Sequence, residues 1–520
     1  VGVSILKEGG NAIDAAVATA FALAVTHPTA GNIGGGGFLV FRPQQGEPIA
    51  YDFREMAPAK AVETMWLDDS GEYSFEKHHL SHLSVGVPGT VAGLHLAWQE
   101  HGSLPWERLV EPAIRLARDG FLMTDGLARS LDRAMERIGK YPATKAQFTK
   151  NGEPYEIGDT LIQSDLADTL VRISEKGPQG FYEGKTAELI AKEMAENGGW
   201  ITEEDLKAYR PKKRAPIRGT YRGYELLSMP PPSSGGVALV QMLNILEGFD
   251  IPGNGFGSAR NMHRMVEAMR RAYSDRALHL GDPDFNPSIP IERLTSKEYA
   301  SELRAGISLD RASVSSPDSF SWPPESPETT HFSVVDETRN AVSLTYTLEF
   351  GYGSGIVVPG AGFLLNNEMG DFNGAPGLTD GRGLIGTEPN LAAPHKRMLS
   401  SMTPTIVAKD GELFMVTGSP GGRTIINTVL QTILNVVDHG MNAQEAVDAG
   451  RIHHQWLPDR VRHEKYGFSP DTLNILRWMG HELQENDGQG VAQVIVVNTD
   501  DGMLEGGLDR RAPDGGAVGY

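Results

Sequence analysis

Residues Glu325 to Asp336 read ESPETTHFSVVD. Two adjacent threonines, Thr329 and Thr330, stand where a stretch rich in serine, proline and charge gives way to an apolar run of Phe332, Val334 and Val335. Threonine suits the edge of a strand, and that ordinary reading needs no chemistry. The other reading is that the chain is cut between Glu328 and Thr329. The new α-amine, with an ordinary pKa of about 7.7–8.0, is then partly neutral near physiological pH. It sits on the same residue as the hydroxyl it would activate, so no second side chain has to be positioned as base. Thr347, in LTYTLE, lies on the following strand and can reach the first hydroxyl across a hairpin. The GSPGG segment at 418–422 ends a strand and opens a helix. Backbone N–H groups of Gly421 and Gly422 at such a place can face a developing oxyanion, although Gly-Gly after Pro is also ordinary turn composition.

The elements that must hold these residues alternate between helix and strand. NAIDAAVATAFALAV reads as a helix with Asn11 as its N-cap. GNIGGGGFLVFRP is a glycine turn running into a strand, and the next strand ends around Tyr51 to Arg54. From about Leu104 to Lys207 the pattern is amphipathic and helical, with segments such as LPWERLVEPAIRLARDG closing on glycine. GYELLSMPPPSSGGVALVQMLNILEGF reads strand, turn, helix, and a further helix covers about Ala259 to Leu280. Ser308 to Glu328 has no period and many turn formers, which predicts a surface linker. Beyond Thr329 come strands and glycine loops: HFSVVD, AVSLTYTLEFGYGSGIVV, GFLLNNEMGDF and MTPTIVAKDGELFMVTGSPGG. A helix, RTIINTVLQTILNVVDHG, and a final strand, AQVIVVNTD, close the chain. No internal repeat is visible. The pattern predicts a layered α/β molecule rather than two unrelated domains.

Composition narrows the function. With 520 residues there is room for a large core, and 40% hydrophobic with 22% charged residues is ordinary for a globular protein. The formal charge of −20 disfavours a sequence-independent nucleic-acid binder and an anionic membrane surface, both of which require basic faces. Cysteine is absent, so no disulfide, thiolate nucleophile or cysteine metal site can form. Opening on Val1, the chain is expected to have lost an upstream segment, which would hold any targeting signal. Ala15 to Val25 is too short to span a bilayer and lacks a basic leader, so it is expected to be a buried helix.

Many motifs in one order make a stronger pattern than any of them alone. GGNAIDAAVA, THPTAGNIGGGGF, DFREMAPAKA, VPGTVAGL, MPPPSSGG, TTHFSVVD, LLNNEMGDF, SSMTPTIV and GSPGG together resemble the γ-glutamyltransferases (glutathione hydrolases), which are N-terminal-nucleophile hydrolases. The resemblance runs almost from end to end. It implies a four-layer αββα sandwich and self-cleavage before Thr329. Residues 1–328 would then form a large subunit and 329–520 a small one, associated as a heterodimer. It implies no cofactor and no metal, a small γ-glutamyl substrate with an amine acceptor, and a periplasmic or secreted location. Matched motif by motif, Thr329 is the nucleophile, Thr347 its hydroxyl partner, and Gly421 with Gly422 the oxyanion hole. Arg54 of DFRE, with Ser400 and Ser401 of LSSM, is implied to hold the substrate α-carboxylate, and Glu368 and Asp371 of NNEMGD its ammonium. An Arg fork with two hydroxyls suits an anion, and clustered carboxylates suit a cation.

Two departures stand out. Glu349 occupies the position two residues after the strand threonine, where the family usually has Asn, and so adds a third carboxylate to the substrate pocket. Bacterial members often carry an aromatic in a lid loop, whereas PGLTDGRGLIGTEPN has none and Arg382 stands near that place. Both bear on the choice between water and amine as acceptor. His78, His79 and His82 are expected in a polar loop without an ordered metal motif, and His453 and His454 are expected in the core or at an interface. Two other readings remain: a related acylase for glutaryl-type side chains, and an uncleaved binding protein for glutamyl peptides.

Overall fold

Asn11 caps its helix in both directions. In a computed structural model that describes residues 1–315, 329–378 and 386–520, the Asn11 side chain accepts from the N–H groups of Ile13 and Asp14, and the Asp14 carboxylate accepts from Asn11 N–H. The helix then runs over Ala12–Thr26 and is buried almost throughout. Helices follow where apolar residues recur with helical period, over Trp106–Asp119, Ser164–Lys176 and Gly184–Glu196.

Two antiparallel sheets form the centre. From edge to edge the first carries Lys212–Arg214, Ile49–Phe53, Gly36–Arg42, Ala341–Thr347 and Thr330–Val335. The second carries Leu504–Leu508, Gln493–Val497, Glu412–Gly418, Thr405–Lys409, Tyr224–Ser228 and Ile217–Tyr221. Thr330–Val335 and Ala341–Thr347 face Glu412–Gly418 across the interlayer. The Ala12–Thr26 helix covers the first sheet; Gly235–Glu247 and Thr424–Val437 cover the second, with Ala259–His279 outside them. This is the expected four-layer sandwich.

Strand alternation divides the core in two. On Gly36–Arg42, Phe38 and Val40 join the core shared with the second sheet, while Leu39 and Phe41 join the one under the N-terminal helices. On Ala341–Thr347, Val342, Leu344 and Tyr346 take the helical side. Ser343 and Thr345 therefore face the interlayer: Ser343 Oγ donates to Thr417 O at 2.9 Å, and Thr345 Oγ1 lies 2.7 Å from His331 Nδ1. A polar seam thus runs between the sheets, and by the same alternation Thr347 stands at its end.

The structure amends several expectations. Gln493–Val497 is not the last strand, because Leu504–Leu508 returns beside it. Ile452–His453, Val461–Glu464 and Leu483–Asn486 form a small third sheet. GFLLNNEMGDF is not a strand: it carries a bridge at Leu364 and a 3₁₀ turn over Glu368–Asp371, since its asparagines bind backbone groups of neighbouring loops. Of the predicted linker, 308–315 has neither helix nor strand; the remainder and Arg382 lie outside the described residues. Among the described residues, no helix is long and apolar enough to cross a membrane.

Candidate active site

Thr330 pairs with Tyr346, so one further step of the antiparallel register sets Thr329 opposite Thr347. The glycine run fixes the end of that strand. A Cβ on Gly35 would lie 2.2 Å from Thr347 O, so only glycine allows this approach. Asn32 secures it, donating to Thr347 O at 2.8 Å while accepting from Gly35 N–H and the Thr90 hydroxyl.

One pocket is lined by Thr329, Thr347, Glu349, Glu368, Asp371, Ser400, Ser401 and Gly422, together with Met402 and Ile425. Most residues singled out in the sequence thus converge from separate loops. Three of the hydroxyls share one arrangement. Thr347 Oγ1 accepts the Glu349 N–H at 3.0 Å, Ser400 Oγ accepts the Met402 N–H at 3.1 Å, and Ser401 Oγ accepts Arg276 Nη2 at 3.0 Å. For Ser400 and Ser401 the fixed donor behind the hydroxyl leaves its own proton to be donated forward. Gly421 and Gly422 follow the strand Glu412–Gly418 and precede the helix Thr424–Val437. Their φ values of +136° and +54° favour glycine at both positions. Gly421 does not line the pocket with Gly422.

Arg54 sits behind the wall, fully buried and also outside the pocket lining. Its Nη1 pairs with Glu368 and its Nη2 with Asp371, with Glu55 at 3.6 Å. The sequence reading assigned these groups to opposite ends of one ligand; the structure ties them to each other. Burial pushes the Glu368 carboxyl well above the usual carboxylate range, against the pull of Arg54, with Glu55, Asp371 and Glu349 adding repulsion. Glu55 is raised to about 7, again chiefly by burial and against Arg54. Next to Thr330 in the chain, His331 is lowered to about 3 by burial and stays neutral.

These motifs belong to a known family. The γ-glutamyltranspeptidase family profile matches residues 1–519. The chain belongs to the γ-glutamyltranspeptidase family. A glutathione hydrolase proenzyme of Escherichia coli K12 is 52% identical over 524 residues, covering all of this chain and 90% of the relative. One of Bacillus subtilis is 39% identical over 538 residues, covering 100% and 89%. A solved cephalosporin acylase from Bacillus halodurans superposes with TM-score 0.87 at 30% identity, covering 100% of this chain and 93% of that one. A Helicobacter pylori γ-glutamyltranspeptidase chain gives TM-score 0.59 at 48% identity, covering 60% of this chain and 89% of its own. Relatives named as proenzymes, and a neighbour spanning part of the chain, fit a processed two-chain enzyme.

Within this transpeptidase fold, sequence reasoning missed two groups. His78 and His79 do not stand in a polar loop: both are buried, at the end of the short helix Phe75–His79. Aromatic stacking draws them in, with His78 against Trp66 at 4.1 Å and His79 parallel to Phe350 at 5.4 Å. His79 Nδ1 comes to 3.4 Å from Glu349 Oε1, and the Asn367 amide donates to the other oxygen. His82, likewise buried, pairs with Glu193 at 3.0 Å. Arg276 is the second missed group; nothing in MRRAYSDRALH marks it off from an exposed helical arginine. His453 and His454 are buried in the core, as expected. Among the described residues, His263, Glu267 and His481 cluster closely enough to hold a metal. The imidazoles share a 2.8 Å hydrogen bond and Glu267 is ion-paired to Arg270 and Arg271, while His481 Nδ1 is buried without a hydrogen-bond partner among the described residues.

Proposed function

We propose that this γ-glutamyl hydrolase/transferase works through Thr329, exposed as a new N-terminus when its own hydroxyl attacks the carbonyl of Glu328. The Glu328–Thr329 C–N bond breaks to leave an ester on Oγ1, and water hydrolyses that ester to free the hydroxyl and the Glu328 carboxylate. The mature α-amine takes the proton from Oγ1 as that oxygen attacks the γ-carbonyl of glutathione or a related γ-glutamyl amide. The oxyanion is received by the N–H groups of Gly421 and Gly422. The leaving amine takes the proton back, and a γ-glutamyl ester remains on Thr329. Water, or the amine of an amino acid or peptide, then accepts the acyl group.

Ser400 and Ser401 donate to the α-carboxylate. Arg54 joins them by exchanging Asp371 for the ligand, and Asp371, Glu368 and Glu349 take the ammonium. A zwitterion can make this exchange without leaving a charge unpaired. The observation that carries the reading is the single pocket shared by Thr329, the outward-donating hydroxyls and three carboxylates. Those carboxylates also weigh against a glutaryl acylase, whose substrate brings no ammonium. The fragments 1–328 and 329–520 stay together as a heterodimer, and the location is periplasmic or secreted.

Mass spectrometry of the purified protein, followed by glutamate release from glutathione, tests this directly. Thr329→Ala is expected to remain one chain, and Thr329→Ser to cleave more slowly. Normal processing of the alanine variant in pure form would remove Thr329 from the mechanism. Arg54→Lys keeps the charge and loses the fork, so KM should rise about tenfold or more with processing intact, the scale of a lost charge-assisted hydrogen bond. An unchanged KM would leave Arg54 a purely internal ion pair.

A further inference from the structure

Ser400 and Ser401 do not hold their own position. Their main chain leans on the MPPPSSGG turn, a motif the mechanism has not used. Ser400 N–H donates to Pro232 O at 2.9 Å, and Ser234 N–H donates to Ser400 O at 2.8 Å. The Ser234 hydroxyl donates to that same carbonyl at 2.6 Å. Arg276 enters this bracket from the helix Ala259–His279, 3% exposed. Its Nε donates to Ser234 Oγ at 2.8 Å and its Nη2 to Ser401 Oγ at 3.0 Å. One planar guanidinium therefore spans the turn and the serine pair, and its rigidity fixes the distance between them.

The donor count gives this contact a direction. Ser401 Oγ accepts from Arg276, so its single proton is turned toward the pocket it lines. Charge points the same way. Three acids, Glu349, Glu368 and Asp371, line the pocket, and Arg54 behind them is paired with Glu368 and Asp371, with Glu55 at 3.6 Å. An anion held there by Arg54 and the serine pair would also lie near the Arg276 guanidinium, which stands one hydroxyl away behind Ser401.

We propose that Arg276 is a positioning residue for the carboxylate end of the pocket, acting through Ser401, with Ser234 holding the guanidinium in place. It orients the serine as a donor and brings a fixed positive charge close to the bound anion. The inference rests on the reading that Ser400 and Ser401 receive the ligand α-carboxylate.

The test compares two donors, a γ-glutamyl anilide and the same compound with its α-carboxylate converted to a carboxamide. Steady-state kinetics are measured for the processed enzyme and for Ser401→Ala, Arg276→Gln, Arg276→Lys and the Arg276→Gln/Ser401→Ala double variant. Arg276→Gln and Ser401→Ala should each raise KM for the carboxylate donor about tenfold, with kcat within about threefold. The carboxamide donor should show no such rise. The double variant should be no worse than the poorer single one, because the two act in series, and Arg276→Lys should recover part of the loss. Equal KM effects on both donors, or full additivity in the double variant, would overturn the role of Arg276. If Ser401→Ala fails to distinguish the donors, the assignment of the serine pair itself falls. Should Arg276→Gln not fold and process, Ser234→Ala replaces it: a carboxylate-specific rise in KM supports the bracket, and a loss common to both donors refutes it.

Discussion

Glu349 pays for its place in the pocket with its backbone. Its φ of +78° is in the left-handed region, which costs a side chain such as Glu of order 1 kcal/mol or more and which Asn tolerates better. That residue also repels the Glu368 carboxyl, helping to hold its pKa high. The ligand ammonium binds best to ionised carboxylates, so kcat/KM should fall as pH drops through these raised values. Glu349→Asn removes one negative charge, lowers the pKa of the remaining cluster and keeps an amide oxygen to accept from the ammonium. The acidic limb of kcat/KM is expected to move to lower pH, and the shift should shrink for a glutaryl amide that lacks the α-amine. Coincident limbs for variant and parent, at fixed ionic strength, would mean that Glu349 does not act on the cluster's titration.

At the scale of elements, Asn11 offers the most direct test of a local signal. It caps the Ala12–Thr26 helix, and its amide also donates to His101 O at 2.7 Å. Asn11→Ala should cost about 1 kcal/mol and lower the thermal midpoint measurably, while Asn11→Ser, which keeps a capping oxygen, should lose less. If serine behaves like alanine, the contact with His101 rather than the cap carries the effect. Caps, helical periods and the alternation of Gly36–Arg42 and Ala341–Thr347 were readable because they are local rules applied to neighbours in sequence. So was the place of Thr329, where a linker-like composition meets a strand. The motifs told which residues belong together, without telling how they pair. That Arg54 would meet Glu368 and Asp371, 314 and 317 residues away, depends on how three loops close. His79 was misread for a similar reason: its surrounding sequence is polar, and Trp66 and Phe350, which bury the histidine pair, come from elsewhere. The last strand was missed because LEGGL carries little alternation or β-branching to announce it.

On the scale of the whole molecule, both sheets pair a block of strands from before Thr329 with a block from after it, and both main cores draw residues from each. The proposed cut before Thr329 would leave these strand pairings in place, and pH should bear on how firmly the molecule holds together. The buried acids set the sign. Glu55 is raised from 4.5 to about 7, so between those values the folded protein binds a proton that the unfolded chain releases. The stability this confers is fully present below about 4.5 and is lost as pH rises through about 7. Stability from this group therefore declines across the range in which ionisation of the pocket favours ligand binding. Glu55→Gln substitutes a neutral group of similar shape that needs no proton, and Arg54 retains Glu368 and Asp371 as partners. The variant should melt at a higher temperature than the parent at pH 8, with the difference shrinking as pH falls toward 4.5. Thermal unfolding followed at several pH values in constant salt would show this convergence. A gap independent of pH would mean that the proton on Glu55 is not what links the active site to the stability of the fold.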